Sequence, residues 1–343
     1  MRDSGWSVVV LAQLRGKIIV SALLGLAVVV VLGLLSDIGQ VGQSFSTFGW
    51  SALPAILGFT VLNYVLRWLK WDYYLRRMRM GQGVSYTDSA LLFTSGMVMA
   101  VTPGKVGEVL KSYLLKRLNG TSISASAPIV LAERVTDGLA MLLLMGFGLT
   151  LYAPARPLFY VLLVATAIGL LIAQSRALVD RVLAVVARLP MGARIAPRLL
   201  TAYLSMKELL SWRILLVSTI ISVVSWFGEC IAMYYVLRGL GVPGSFLLLQ
   251  QATFVFAAST LFGLVSFLPG GLGVSEGSST LMLERLIPLA AGPATTATII
   301  IRFCTLWFGV SLGAIALAIF TRRYGDEREP AAPEGGASGP VAG

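Results

Sequence analysis

The chain has 343 residues, of which 57% are hydrophobic and 13% are charged, and its formal net charge is +11. This composition excludes an ordinary soluble domain and is typical of a protein with several membrane spans, because only lipid can solvate so much apolar surface. The charge does not indicate nucleic-acid binding, since membrane proteins concentrate Lys and Arg in cytoplasmic loops. Without histidine, and with Cys230 and Cys304 far apart, we expect no metal site and no cofactor.

Six apolar segments are long enough to cross a bilayer, which takes about 20 residues. The first follows the basic residues Arg2, Arg15 and Lys17. Because this run is long for a signal peptide and lacks a small-residue cleavage site, we interpret it as a membrane helix. The six segments are 18–35, 50–69, 126–152, 157–174, 213–237 and 295–320.

Two further apolar regions are interrupted by Pro-Gly motifs. The first region runs over 88–101, breaks at 102–105 and resumes over 106–118. The second runs over 246–267, breaks at 268–275 and resumes over 276–288. Three of the four arms are too short to cross, although 246–267 is long enough. We therefore predict two re-entrant hairpins built from broken helices, which with the six full spans make eight segments.

The distribution of positive charge predicts the orientation. With the N-terminus in the cytoplasm and both interrupted regions folded as hairpins, 21 of the 27 Lys and Arg residues lie on the cytoplasmic side. These 21 include Arg67, Lys70 and Lys111. Such an excess follows the positive-inside rule and places both termini in the cytoplasm. The first hairpin then enters from the cytoplasm and the second from the opposite face.

The remaining segments complete a single-domain organisation. Residues 175–212 alternate apolar and basic side chains and predict amphipathic helices on the cytoplasmic surface. Residues 323–343 are rich in Gly, Pro, Ala and Glu, which predicts a disordered tail. The sequence thus predicts one all-α polytopic membrane domain over 1–322, with a first repeat at about 50–174 and a second at about 213–320.

The two halves share a pattern of landmarks. The stretch WDYYLRRMRMG in the first half resembles AMYYVLRGLGV in the second. The separation in sequence between Pro103 and Pro269 is nearly the same as that between the two tyrosine pairs, and an arginine follows each proline inside the next helix, Arg134 in one half and Arg302 in the other. One repeat with helix 157–174 contributes three crossings, so the second copy is inverted. Inverted repeats with paired broken helices are typical of transporters, in which the breaks form the binding site.

The breaks are therefore candidate site backbone. Irregular backbone at membrane depth is tolerated only where protein or a wet cavity satisfies it. Glycines there permit tight turns, and the second arms begin with free N–H groups that attract anions. Tight turns in a packed hairpin are the simpler alternative. The loop residues are Pro103, Gly104, Gly107, Pro269, Gly270, Gly271 and Gly273.

Charged residues inside apolar segments are the candidate binding side chains. Each costs about 2.5–3.5 kcal/mol at the bilayer centre unless it is paired or hydrated. Glu133 and Asp137 share a helix face, and Arg134 can reach Asp137 in the next turn. Arg302 has no acid in the neighbouring turns, so it needs a distant partner or an anionic ligand. Structural ion pairs and substrate contacts both remain open for Lys105, Glu108, Glu133, Arg134, Asp137, Glu276 and Arg302.

The stretches PGKVGEVLKSYLL, AERVTDGL, LPGGLGVSEG and IIRFCTLWFG resemble the transmembrane, flippase-like domain of lysylphosphatidylglycerol synthases. The resemblance covers about residues 10–322. It implies a lipid translocase fold in the bacterial cytoplasmic membrane, with both loops, Arg134 and Arg302 along the headgroup path. The synthase members carry a soluble acyltransferase-like domain, and this chain ends about twenty residues after its last helix. We therefore expect a stand-alone member without synthase activity.

These observations favour translocation of a phospholipid, an aminoacyl-phospholipid or another lipid with an anionic headgroup. A secondary transporter of small anionic solutes would use the same broken helices. A membrane-embedded lipid transferase is a weaker alternative, since the sequence has no histidine, nucleotide loop or paired acidic motif. The expected partner is membrane phospholipid and not nucleic acid, and a homodimer is left open.

Overall fold

In the computed structural model, the described residues are Ala27, 37–102, 107–176, Arg181 and 192–324. They form twelve α-helices and no strand. In chain order these are α1 Ile38–Thr47, α2 Leu53–Arg77, α3 Tyr86–Met97, α4 Leu110–Asn119, α5 Ile123–Phe147, α6 Arg156–Gln174, α7 Gly192–Leu209, α8 Trp212–Gly239, α9 Phe246–Val265, α10 Val274–Leu286, α11 Ala291–Arg302 and α12 Phe308–Tyr324.

The described helices confirm a multi-pass architecture. Five stretches are long and apolar enough to cross a membrane: Trp50–Arg77, Ala153–Gln174, Trp212–Gly239, Phe246–Val265 and Ala291–Tyr324. Four of them correspond to predicted spans, and the fifth is the long arm of the second interrupted region. The predicted span 126–152 is also helical, as α5, but its three central charges lower its hydropathy. Apart from Ala27, the predicted span 18–35 lies outside the described residues, as do 103–106 in the first break, 177–180 and 182–191 in the linker, and the tail beyond Tyr324.

Helices α2 and α8 pack side by side, antiparallel, at the centre of the bundle. The N–H of Gly49, just before α2, donates to the carbonyl of Gly239 at the end of α8, at 2.8 Å. Midway along, Asn63 Nδ2 donates to Ser225 Oγ at 2.9 Å, and that hydroxyl donates to the Asn63 carbonyl at 3.1 Å. Both residues are fully buried. This reciprocal contact fixes the register of the two helices.

Helices α3 and α4 form one hairpin, and α9 and α10 form another. Asn119, the last residue of α4, donates to the Met80 carbonyl at 2.8 Å, next to the start of α3. At the second hairpin, Gln251 Nε2 in the second turn of α9 donates to the Leu286 carbonyl at the end of α10, at 2.6 Å. In each hairpin, therefore, the first arm begins close to where the second arm ends.

Each hairpin also packs on a helix of the other half: α3 on α12, and α9 on α5. The first crossing is close, because a Cβ on Gly313 would collide with the backbone nitrogen of Val98. Side chains of the bundle form two cores. One joins α5, α8, α9 and α11, and the other joins α2, α3, α4 and α12. Tight packing of this kind associates helices in lipid, where apolar burial alone supplies little driving force.

The second break is compact. A 3-10 turn at Pro269–Gly271 follows α9, and Gly270, Gly271 and Gly273 have φ of 61°, 69° and 85°. These left-handed values suit glycine, which has no Cβ to clash. Gly271 also lies against Gly263 of α9, where a Cβ would meet backbone. The sequence-based expectation that these glycines permit tight turns is met here.

Candidate functional site

A polar cavity of about 660 Å³ lies between α2, α3, α8, α9 and the end of α11. Its lining combines aromatic rings with ionisable side chains, including Arg67, Glu108, Lys111, Glu229 and Arg302. A second cavity, of about 630 Å³, is lined by Arg134, Asp137 and the backbone of the second break. Because Trp226, Thr260, Arg302 and Leu306 line both, the two cavities adjoin, and we call them together the polar cleft.

On one side of the polar cleft, six charged side chains form a connected network. Arg134 Nη2 lies 3.1 Å from Glu108 Oε2 and 3.2 Å from Asp137 Oδ2. Lys70 Nζ lies 2.6 Å from Asp137 Oδ1. Lys111 Nζ lies 2.5 Å from Glu133 and 3.6 Å from Glu108. Three cations thus face three carboxylates at positions that water hardly reaches.

The lysines of this network have additional partners. Lys70 Nζ also donates to Ser222 Oγ at 2.7 Å and to Thr136 Oγ1 at 3.3 Å. Lys111 Nζ lies 4.7 Å from the centre of the Trp71 ring, a cation–π distance. Buried charges are tolerated when every proton has a partner, so these contacts explain how two fully buried lysines are accommodated.

On the other side of the polar cleft lies an arginine–glutamate pair. Arg302 Nε donates to Glu276 Oε1 at 2.5 Å, and Arg302 Nη2 donates to the Gly270 carbonyl at 2.7 Å. Glu276 Oε2 accepts the Gly273 N–H at 2.7 Å, which caps the start of α10. Arg302 therefore connects the end of α11 to both the break and the first turn of α10.

The two arginine–glutamate pairs are equivalent in sequence spacing. Glu108 precedes Arg134 by 26 residues, and Glu276 precedes Arg302 by 26 residues. Each residue of the second pair therefore follows its counterpart in the first pair by the same number of residues. The same offset aligns Ser279 with Lys111, Ile301 with Glu133 and Thr305 with Asp137. At these positions the first half carries charges where the second half carries neutral side chains.

The segment after Arg302 is a π-helical turn, Phe303–Trp307. Such turns carry one extra residue per turn and occur frequently at functional sites. The Tyr64 hydroxyl of α2 donates to the carbonyl of Thr305 inside this turn. The π turn thus faces the polar cleft and is held by a helix of the other half.

Arg67 lies one helical turn after Asn63 on α2, and Glu229 lies one helical turn after Ser225 on α8. Because Asn63 and Ser225 contact each other, Arg67 and Glu229 occupy equivalent positions of the two helices. Both line the polar cleft. The Arg67 guanidinium lies 5.3 Å from the centre of the Trp226 ring and 5.8 Å from that of Phe93. Arg67 Nε is buried and has no hydrogen-bond partner among the described residues.

The structure brings together Glu108, Glu133, Arg134, Asp137, Glu276 and Arg302, all predicted from sequence. One expectation about the half-helix ends is corrected. The N–H groups at the start of α10 are not all available to a ligand, because the N–H of Gly273 donates to Glu276 of the same helix. Arg302 does have a distant acid partner. Gly107 lies against Thr102, whose hydroxyl accepts its N–H at 2.9 Å. Pro103, Gly104 and Lys105 lie outside the described residues.

Sequence reasoning counted Arg67, Lys70 and Lys111 with the charges on the cytoplasmic side, but the structure buries all three. Arg67 is 8% exposed, Lys70 0% and Lys111 1%. Arg67 and Lys70 lie well inside α2, and Lys111 lies in the first turn of α4. Each contacts carboxylates or aromatic rings from other helices. A signal was available for Lys70: it lies between Leu69 and Trp71 within a stretch of mostly apolar and aromatic residues. Among the described residues, no group of three or more Cys, Asp or Glu could hold a metal ion.

A charged cleft enclosed by apolar spanning helices defines a class, the multi-pass membrane proteins with a buried polar site. Residues 22–313 match the family described as Lysylphosphatidylglycerol synthase TM region, and the chain belongs to that family. Two similar proteins, both described as UPF0104 membrane protein, come from Methanothermobacter thermautotrophicus. One is 25% identical over 293 residues, which are 78% of this chain and 84% of the relative. The other is 28% identical over 246 residues, 64% of this chain and 70% of the relative.

Proposed function

We propose that this protein translocates a lipid across the cytoplasmic membrane, with the phosphate-bearing headgroup passing through the polar cleft while the acyl chains stay in lipid. The observation that carries the proposal is the meeting of two equivalent arginine–glutamate pairs, one from each half, on a single cleft. Guanidinium groups bind phosphate by two parallel hydrogen bonds, which makes arginine suited to this ligand.

The arrangement of the hairpins supports an inverted repeat. The ends of the first hairpin lie near the end of α2, and those of the second lie beyond the end of α8. Because α2 and α8 are antiparallel, the hairpins approach from opposite ends of the bundle. Both are then re-entrant. Glu108 of the first hairpin and Gly270 of the second line the polar cleft, which is the arrangement expected of transporters with broken helices. A translocation path must open first to one face of the membrane and then to the other.

Arg302 is the residue that we expect to exchange partners. Its bonds are to one carboxylate and one carbonyl, whereas Arg134 belongs to a six-charge network. A phosphate entering the cleft can replace Glu276 on Arg302 without disturbing other buried pairs. Glu276 keeps its bond to the Gly273 N–H in that exchange. The second half would thus bind and release the headgroup, and the first half would stay fixed.

The test is lipid movement in proteoliposomes containing fluorescent headgroup-labelled phosphatidylglycerol, with an impermeant quencher outside. We expect Arg302→Ala to abolish movement while the protein still inserts. Arg302→Lys should also be impaired, because lysine cannot reproduce the two directed bonds. Arg285→Ala is the control, since Arg285 is an exposed arginine of the same half, away from the cleft. Equal rates in wild type and Arg302→Ala would contradict the proposal, and stabilisation by soluble phosphate but not by lipid would favour a small-anion transporter.

A further inference from the structure

A large apolar groove opens on the outside of the bundle between α5, α6, α7 and α9. Its volume is about 1010 Å³. Among the described residues that line it, Arg134 is the charged member and Thr166 the polar one, and the rest are apolar. Helix α6 contributes one wall although none of its residues is buried, so the groove faces the surrounding lipid.

The groove adjoins the polar cleft through a shared wall. Arg134, Leu261 and Leu264 line both the groove and the part of the cleft at the second break. Arg134 Nε is buried there without a hydrogen-bond partner among the described residues. An unsatisfied guanidinium donor therefore lies at the boundary between an apolar space and a charged one.

The dimensions of the groove suit one leaflet. Its lining on α5 extends from Leu131 to Leu142. At 1.5 Å per residue this is about 16 Å, close to half of the roughly 30 Å hydrocarbon core. Gly138 and Gly169 lie in this lining, and a Cβ at either position would meet no atom within 4 Å. The groove is therefore open along its length as well as at its mouth.

We propose that this groove binds an acyl chain of the lipid whose phosphate lies in the adjoining polar cleft, so that the lipid enters sideways between α6 and α9. This rests on the proposed function and adds the place where the tail is held. An acyl chain is favoured over a helix of a second copy, because the groove ends on a cation that faces the polar cleft. A lipid supplies both chemistries, an apolar chain and an anion, in one molecule.

The experiment fills the groove. In Gly138→Leu the new side chain occupies the open space beside Arg134. Gly58→Leu is the matched control, because Gly58 is also a helical glycine with nothing within 4 Å of its Cβ position, but it lies on α2 away from the groove. Replacing glycine within a helix favours the helix, so neither variant should fail to fold for lack of helicity.

Two readouts are needed: lipids retained by the purified protein in native mass spectrometry, and lipid movement in the proteoliposome assay. We expect Gly138→Leu to lose both, and Gly58→Leu to keep both. Unchanged lipid retention and movement in Gly138→Leu would overturn the groove proposal, and so would a cross-link between two copies through Gly169→Cys. Lipid retention that depends on Gly138 without any movement in wild type would uphold the groove and contradict the proposed function.

Discussion

Lys111 and Glu133 show at the scale of single residues how this chain tolerates charge inside apolar helices. Their side chains are almost fully buried and 2.5 Å apart. Removing one partner of a buried pair leaves the other charge uncompensated, which costs about 3–5 kcal/mol, whereas replacing both by apolar groups is often neutral. Removing one member of the pair should therefore destabilise the protein strongly, whereas replacing both members should change its stability little.

Lys111→Met should accordingly lower the thermal unfolding midpoint strongly, because Glu133 loses its closest cation. The double variant Lys111→Met with Glu133→Gln should recover much of that loss. Thermal unfolding of the purified protein in detergent measures both, as a double-mutant cycle. If the two single changes simply add, Lys111 and Glu133 are not coupled and the network as drawn is wrong.

Single residues also show how much of the site could be predicted from the sequence. The spacing of Arg134 and Asp137 on one helix predicted their ion pair, since residues at that spacing face the same side. The partner of Arg302 was not predictable, because Glu276 comes from a different helix and only packing brings the two together. Lys111 was counted with the surface charges because Lys116 and Arg117 follow it on a short helix, which resembles a cytoplasmic surface.

At the scale of elements, the entry to the first hairpin is tied to the end of α12. Asp88, in the first turn of α3, accepts hydrogen bonds from the Tyr324 hydroxyl and from Ser85 Oγ, each at 2.6 Å. Arg323 Nη1 lies 3.4 Å away. Burial alone would raise the pKa of the Asp88 carboxyl, but these hydrogen bonds and the charge of Arg323 hold that pKa below its usual value.

The sign of this effect predicts acid sensitivity. A carboxyl whose pKa is lower in the folded protein stabilises it above the unfolded pKa of about 3.9, and this stabilisation is lost as pH falls through the folded pKa. We expect Asp88→Asn to unfold at lower temperature than wild type at pH 7, with the difference shrinking below about pH 4. Thermal melts at several pH values measure this. A difference that stays constant with pH would show that the carboxylate charge is not responsible.

Helix boundaries were predicted better than helix roles. Four of the spans assigned from hydropathy recur among the described helices, because long apolar runs leave few alternatives. The role of α5 is less evident from its sequence, since its central charges belong to a network with α2 and α4. The π turn after Arg302 could not be predicted, because nothing in FCTLW differs from ordinary helix composition and the turn is held by Tyr64 from α2.

At the scale of the whole molecule, the proposed inverted arrangement makes a prediction about sidedness. Gln82 and Ser122 flank the first hairpin, and Pro243 and Ala290 flank the second; all four are exposed. Single cysteines at these positions should react with an impermeant maleimide from one side for the first pair and from the other side for the second. Cys230 and Cys304 are buried, so the background should be low. Gln82 and Ser122 on opposite sides would mean that α3 and α4 together cross the membrane.

The buried charges of the network and the polar cleft sum to zero among the described residues. Five cations face five carboxylates: Arg67, Lys70, Lys111, Arg134 and Arg302 against Glu108, Glu133, Asp137, Glu229 and Glu276. Carrying one elementary charge across 100 mV involves about 2.3 kcal/mol. When these groups move as one body, the electrical work on the cations cancels that on the carboxylates. The membrane voltage therefore has little effect on their movement. Under the proposed function, the membrane voltage acts instead on the net charge of the translocated lipid.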